Sequence, residues 1–212
     1  KLPVLPVRNI ILFPMISMPM MIGRKKSIKL IDDVVVSNRF VAIVAQKDPD
    51  IEDPKETDLY NVGCAGIVLK MMKFPDGQIR TLIQGISRIK IEEFLGSEPY
   101  FTAKVSQIKE SFSPDPDTKD KIITLKKNFS IFAENSPVVQ KELVEAVLVS
   151  EDPSFITDVI ALNLNLNLSE LQEFLGEGNV NHRINRIYEH LNREVEMLEL
   201  GNRIQNNVRQ QI

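Results

Sequence analysis

Two rhythms of apolar and polar residues divide the 212-residue chain. Up to about residue 110, apolar positions mostly alternate with polar ones. Over 88–92, Arg88, Lys90 and Glu92 fall on one side, with Ile89 and Ile91 on the other. Over 101–106, Phe101, Ala103 and Val105 alternate with Thr102, Lys104 and Ser106. A period of two sends successive side chains to opposite faces of a strand, so these stretches predict half-buried strands. Phe74-Pro75-Asp76-Gly77 joins the apolar run 64–72 to Ile79–Ile83, and Asp-Gly supplies the left-handed backbone of a hairpin turn. The two runs are therefore expected to be antiparallel neighbours, and one helix, about 25–37, interrupts the strands.

The rhythm breaks at 111–118, Ser-Phe-Ser-Pro-Asp-Pro-Asp-Thr, where two prolines and two aspartates cannot continue a strand or a helix interior. Beyond it the period is helical: Ile122, Leu125, Phe129 and Phe132 follow 3-4-3 spacing. Ser136-Pro137 and Asp152-Pro153 read as helix starts, a cap followed by proline in the first turn. Ser169-Glu-Leu-Gln172 fits a capping box. The strict Leu/Asn alternation of 162–168 has the period of a strand, but its helical flanks and asparagine content favour a helix end and loop. A last helix from about Asn179 carries Ile184, Ile187, Leu191, Val195 and Leu198 on one stripe, which thins after Leu200 to Ile204, Val208 and Ile212. The expected organisation is a β-rich lobe over 1–110, a linker over 111–118 and a helical subdomain over 119–212. The start at Lys1 without methionine, and the finish at Ile212 inside a helical pattern, suggest a piece of a longer protein.

Composition narrows the function. No stretch approaches the ~20 apolar residues of a membrane helix, and no basic-then-apolar pattern with a small-residue cleavage site points to export. The lone Cys64 has no internal disulfide partner, which fits a reducing compartment and a small buried hydrophobe. Residues 1–110 carry a net charge of +3 and residues 111–212 a net of −6, so neither half has the strongly basic balance of a nucleic-acid domain. The basic cluster Arg24-Lys25-Lys26 with Lys29 reads as a solvated helix start. No glycine is followed by lysine, which excludes a phosphate-binding P-loop. His182 and His190 share a helix with no third ligand, and the acidic loop 48–58 contains Pro49 and Pro54 and lacks the glycine of a calcium loop. These features argue against an enzyme and for a binding or assembly module.

The placement of methionine is the unusual signal. Six of seven fall in two places, Met15, Met18, Met20 and Met21, then Met71 and Met72. Pro14 and Pro19 make the first run an edge strand or loop. If extended, Ile16, Met18, Met20 and Ile22 share one face, opposite Met15, Pro19 and Met21. Methionine is flexible and polarizable, so a surface built from it adapts to many apolar partners. Barrel core and a subunit contact are the competing readings of the same residues.

At this point a resemblance enters. LPVLPVRNIILFPMISMPMMIGRKKSI at 2–28, VAIVAQK at 41–47 and VGCAGIVLKMMKFPDGQIRTLIQGISRIKI at 62–91, with the helical remainder, resemble the N-terminal domain of ATP-dependent Lon proteases over nearly the whole chain. Lys26 departs from the acidic residue common there. The resemblance implies an α+β fold, a PUA-like β-rich barrel lobe followed by an α-helical bundle ending in a long helix. It implies recognition of unfolded or damaged proteins and support of a homohexamer, in bacterial cytoplasm rather than the mitochondrial matrix. It also implies no cofactor in this region, because ATP and magnesium belong to the parent's ATPase ring and the Ser–Lys dyad to its protease domain. The expected substrate edge is Pro14, Met15, Met18, Met20 and Met21, joined by Met71, Met72 and Phe74. A purely assembling element and a nucleic-acid module are the alternatives.

Overall fold

The computed structural model describes residues 1–212 as an α+β fold. Its strands are β1 (Leu2–Val7), β2 (Ser17–Ile22), β3 (Phe40–Ala45), β4 (Val62–Lys73), β5 (Ile79–Gly96) and β6 (Thr102–Gln107). Helix α1 (Lys25–Val35) lies between β2 and β3, and α2 (Pro116–Glu134), α3 (Lys141–Val149), α4 (Pro153–Asn163), α5 (Leu168–Gly176) and α6 (Val180–Gln211) follow β6.

The strands form one mixed sheet in the order β2-β5-β4-β3-β1-β6, and β6 also pairs with β5. The sheet thus curls back on itself. It is not a closed barrel, because β2 has β5 as its one strand neighbour and keeps an open edge. β4 and β5 are joined by the expected hairpin, with Gly77 at φ +89° and the Phe74 and Gly77 amides bonded across the turn at 2.9 and 3.0 Å. Only glycine adopts that φ at no steric cost. α1 buries Ser27, Leu30, Ile31 and Val34, the i, i+3, i+4, i+7 stripe of an amphipathic helix.

The chain forms two compact units, and the split is not the single break that the proline-rich segment suggests. One unit is Lys1–Lys109 with Asn167–Gly178; the other is Glu110–Leu166 with Asn179–Ile212. Helix α5 therefore belongs with the sheet rather than with the helices around it in sequence. Nor is 111–118 a free linker: Asp115 accepts the Thr118 amide at 2.8 Å and caps α2, which starts at Pro116.

What holds α5 in the first unit is polar as well as apolar. Arg88, 1% exposed, donates from Nε to the Leu175 carbonyl at 2.8 Å, and its guanidinium lies 5.5 Å from the Phe13 ring centroid. Phe13 in turn meets Phe174 edge-on at 6.1 Å. Gln172 Nε2 donates to the Val62 carbonyl at 2.8 Å. Alternation assigns Arg88 to the polar face with Lys90 and Glu92; the structure buries it, because α5 supplies an acceptor that strand periodicity cannot reveal.

In the second unit the stripe Ile184, Ile187, Leu191 and Val195 of α6 is buried, as are Leu125 and Phe129 of α2. Arg183, fully buried, donates to Glu110 at 3.2 Å and to Ser154 Oγ at 2.6 Å. Asp152 and Asn179 cap α4 and α6 as the sequence indicates. Ser136-Pro137 does not open a helix: α3 begins at Lys141. The capping box of α5 is Asn167 with Glu170, two residues earlier than expected. Replacing Arg88 by alanine should cost about 3 kcal/mol, since a charge-assisted bond is lost and a buried carbonyl is left bare. The urea midpoint measures the loss, and amide exchange should quicken first in α5.

Candidate functional site

The two methionine clusters, far apart in sequence, are brought into one ladder by strand register. Met21 pairs with Arg80 and Met20 with Thr81 across β2 and β5. Met72 pairs with Arg80 and Met71 with Thr81 across β4 and β5. Directly opposed residues in an antiparallel ladder point to the same side. Each central β5 residue is therefore flanked by two methionines in a row three strands wide.

The rows differ in exposure, as a period of two requires. Met21 is 54% and Met72 61% exposed, and both flank an exposed Arg80. The next row turns inward: Met20 is 3% exposed and the buried Thr81 hydroxyl donates to the Met20 carbonyl at 3.0 Å. Met20 is thus core and leaves the expected docking set. Met18, on the same inward parity, is half-buried, as are Pro14, Met71 and Phe74. Phe74 supports the outer row from the turn, with the Arg80 guanidinium 5.3 Å from its ring centroid. That contact draws the cation onto an aromatic face rather than out into water.

Met15 reaches the surface by a different route. Its φ is +69°, in the left-handed region that side chains rarely adopt. The conformation is held on both sides: Met15 N donates to the Gly85 carbonyl at 3.0 Å and Gly85 N to the Ile16 carbonyl at 2.9 Å. The approach is so close that a Cβ at position 85 would sit 2.0 Å from the Phe13 carbonyl oxygen. Glycine at 85 is what lets the 13–16 segment lie against β5 and leave Met15 61% exposed.

Beside these rows runs an open groove of about 550 Å³, with Pro19, Leu82 and Met72 among its apolar walls. Its charged lining groups are Arg39, Lys70 and Arg80, with no carboxylate. Arg39 Nη1 donates to the Val68 carbonyl at 3.1 Å, which fixes one cation at the rim. Sequence reasoning missed Arg39, Lys70 and Arg80. Arg80 was within reach of it, because a hairpin closing at Lys73 and Ile79 sets Met72 opposite Arg80.

Other candidate chemistry stays apart. No three His, Cys, Asp or Glu side chains are grouped to hold a metal ion. His190 lies 3.9 Å from Glu194 on α6, and in the acidic loop Asp48 accepts the Asp50 amide in a local turn. Cys64 is buried. No helix is long and apolar enough to cross a membrane.

The open sheet edge thus carries exposed methionines beside a cationic groove. Residues 1–193 match the family described as the ATP-dependent protease La (LON) substrate-binding domain. The Lon protease of Dictyoglomus thermophilum is 37% identical over 211 residues, covering 100% of this chain and 26% of that protein. The Lon protease of Flavobacterium johnsoniae is 33% identical over 99% of this chain and 26% of its own length. Among solved structures, the N-terminal domain of a Mycobacterium avium complex Lon protease superimposes with a TM-score of 0.71 at 18% identity, covering 90% of this chain and 97% of that one. The Lon N-terminal domain protein from Xanthomonas campestris gives a TM-score of 0.63 at 14% identity, with 88% and 95% covered. The chain belongs to the Lon substrate-binding domain family and spans about a quarter of the length of the curated relatives it matches.

Replacing Met15 by glycine should move stability and exposure in opposite directions. Relief of the left-handed backbone should raise stability by roughly 1 kcal/mol, while an exposed apolar side chain is lost. Urea denaturation measures the gain, and Met15→Val should lose stability in the same assay because a branched side chain fits this φ worse.

Proposed function

We propose that this chain captures unfolded or damaged segments of other proteins on the outward face of the β2-β5-β4 ladder. The observation that carries the reading is the row Met21-Arg80-Met72, two exposed methionines in register about one cation. Met15 and the groove at Pro19 and Leu82 extend it. Thioether side chains adapt their shape to whatever apolar group arrives, so the face suits heterogeneous sequences rather than one motif. Arg39, Lys70 and Arg80 without a lining carboxylate add a bias toward apolar segments that carry acidic residues. Chemistry is absent from this step: the chain holds, and the ATP-driven and peptide-cleaving parts of a longer protein act afterwards. Modest affinity per copy is raised when several copies surround one ring, because a second contact by a bound segment is intramolecular. This reading places the chain in bacterial cytoplasm.

The test is fluorescence anisotropy of a labelled, permanently unfolded protein titrated with this chain. The double substitution Met21→Glu and Met72→Glu should weaken binding by about tenfold or more, since two charges would be desolvated on an apolar partner. Circular dichroism should be unchanged, both side chains being exposed. Undiminished binding by the folded variant would remove this face from consideration.

A second reading, self-association, draws on a different surface. The end of α6 exposes Met197, Leu200, Ile204 and Val208, spaced three and four apart along one helix. That spacing fits a seam against another helix, here a second copy within a homohexamer of the full-length protein. In analytical ultracentrifugation, Leu200→Gln with Ile204→Gln should shift the chain toward monomer while leaving unfolded-protein binding per monomer intact.

A further inference from the structure

We infer that the row Met21-Arg80-Met72 is a methionine oxidation site, at which peroxide switches off the capture of unfolded chains. The inference rests on the capture reading above and adds its regulation. Met21 and Met72 are 54% and 61% exposed, so a dissolved oxidant reaches both side chains. The other methionines of the ladder are graded by strand alternation: Met18 and Met71 are half-buried, and Met20 is core. Sulfur must meet the oxidant in solution, so the outer row reacts before Met20. Met15 is exposed as well but precedes β2 and has no place in the row.

The chemical step needs hydrogen peroxide and no catalytic group. A sulfur lone pair attacks one peroxide oxygen, forming the S–O bond as the O–O bond breaks. The departing hydroxide takes the proton from the transferred oxygen, which leaves a sulfoxide and water. Sulfur is oxidised by two electrons and the peroxide is reduced by the same two. The surface changes character in the process. A thioether is a weak acceptor that packs readily on apolar groups, whereas a sulfoxide oxygen is polar and strongly hydrated. An apolar segment docking over it would strip away that water and return no hydrogen bond.

Arg80 sets this row apart from methionines that are merely exposed. It stands opposite Met21 on one side and Met72 on the other. In the reduced row its guanidinium lies 5.3 Å from the Phe74 ring centroid, since thioethers offer it little to bond. A sulfoxide oxygen on either flank is an acceptor for its fork of N–H donors, and bonds from a charged donor are the stronger kind. The oxidised row is a polar bridge, with the cation turned onto its two neighbours and drawn away from acidic residues of a bound segment. Adaptable apolar contact and cationic bias are thus lost together. Reduction by two thiols, which leave as a disulfide and water, restores the thioethers. Met197, 67% exposed on α6 in the other compact unit, is an internal reference for oxidation outside the row.

The test treats the 212-residue chain with hydrogen peroxide, at a dose where peptide mass mapping finds Met21 and Met72 oxidised and Met20 intact. Anisotropy of the labelled, permanently unfolded protein is then measured with treated and untreated chain. Binding should be about tenfold weaker after oxidation, and methionine sulfoxide reductases with a dithiol should restore it. The far-UV circular dichroism of the treated chain should match that of the untreated one. Met21→Leu with Met72→Leu is the control, each chain being compared with its own untreated form. This variant should lose less than about twofold on treatment, although Met15 and Met197 still oxidise. An untreated chain that does not bind unfolded protein would overturn the capture reading and the switch with it. Binding that survives oxidation of both methionines, an equal loss in the leucine variant, or oxidation of Met20 ahead of the outer row would overturn the switch alone.

Discussion

The first unit depends on one buried guanidinium. Arg88 lies on β5 with almost no exposure, bonded to the carbonyl of Leu175 and set against the ring of Phe13. Those contacts join three pieces of chain that are remote in sequence: the long central strand, the segment before β2 and the returning helix α5. A buried cation is tolerated only where its donors are used, so the site selects a single arrangement of all three. The position of Phe13 then fixes the 13–16 segment, with Gly85 close beneath it. An interior polar contact thereby decides where Met15 and the start of β2 are displayed.

The display itself is a balance between two demands on one strand. β2 buries one face in the core and leaves the other, also apolar, uncovered. Strand alternation meets both, with Met20 and Ile22 inward and Met21 outward. The open edge this creates would be a hazard for unwanted strand pairing, and Pro19, lacking an amide hydrogen, weakens it as a template. Arg80 between Met21 and Met72 interrupts what would otherwise be a continuous apolar patch. A cation inside the row keeps the free face in contact with water, while the flanking thioethers remain accessible.

Much of this was legible in the sequence, and the limits have physical causes. The hairpin at Asp76-Gly77, helix α1, the caps Asp152 and Asn179 and the alternation of β2 all rest on local rules. The inward turn of Met20 follows from its shared parity with Ile22, but which face is covered is a tertiary fact. Ser136-Pro137 satisfies the pattern of a helix start, yet the helix waits until Lys141. At α5, Asn167 with Glu170 and Ser169 with Gln172 are two overlapping capping boxes, and local chemistry does not rank them. The allegiance of α5 to the sheet was invisible, because it rests on Arg88 and Gln172 finding backbone carbonyls far along the chain. Arg88 also looked like a solvent-facing strand residue, since alternation assumes that only one face of a strand is covered.

The passage of α5 into the sheet-bearing unit has a mechanical consequence. Between α5 and α6 the chain runs through only Glu177, Gly178 and Asn179. Tension along α6 at its N-terminal end therefore reaches the C-terminal turn of α5, where the Leu175 carbonyl accepts from Arg88, by one short covalent path. The start of α6 has a second tie, the Val180 amide donating to the Ser111 carbonyl at 2.8 Å, so a pull on the helix is shared between two anchorages instead of falling on one.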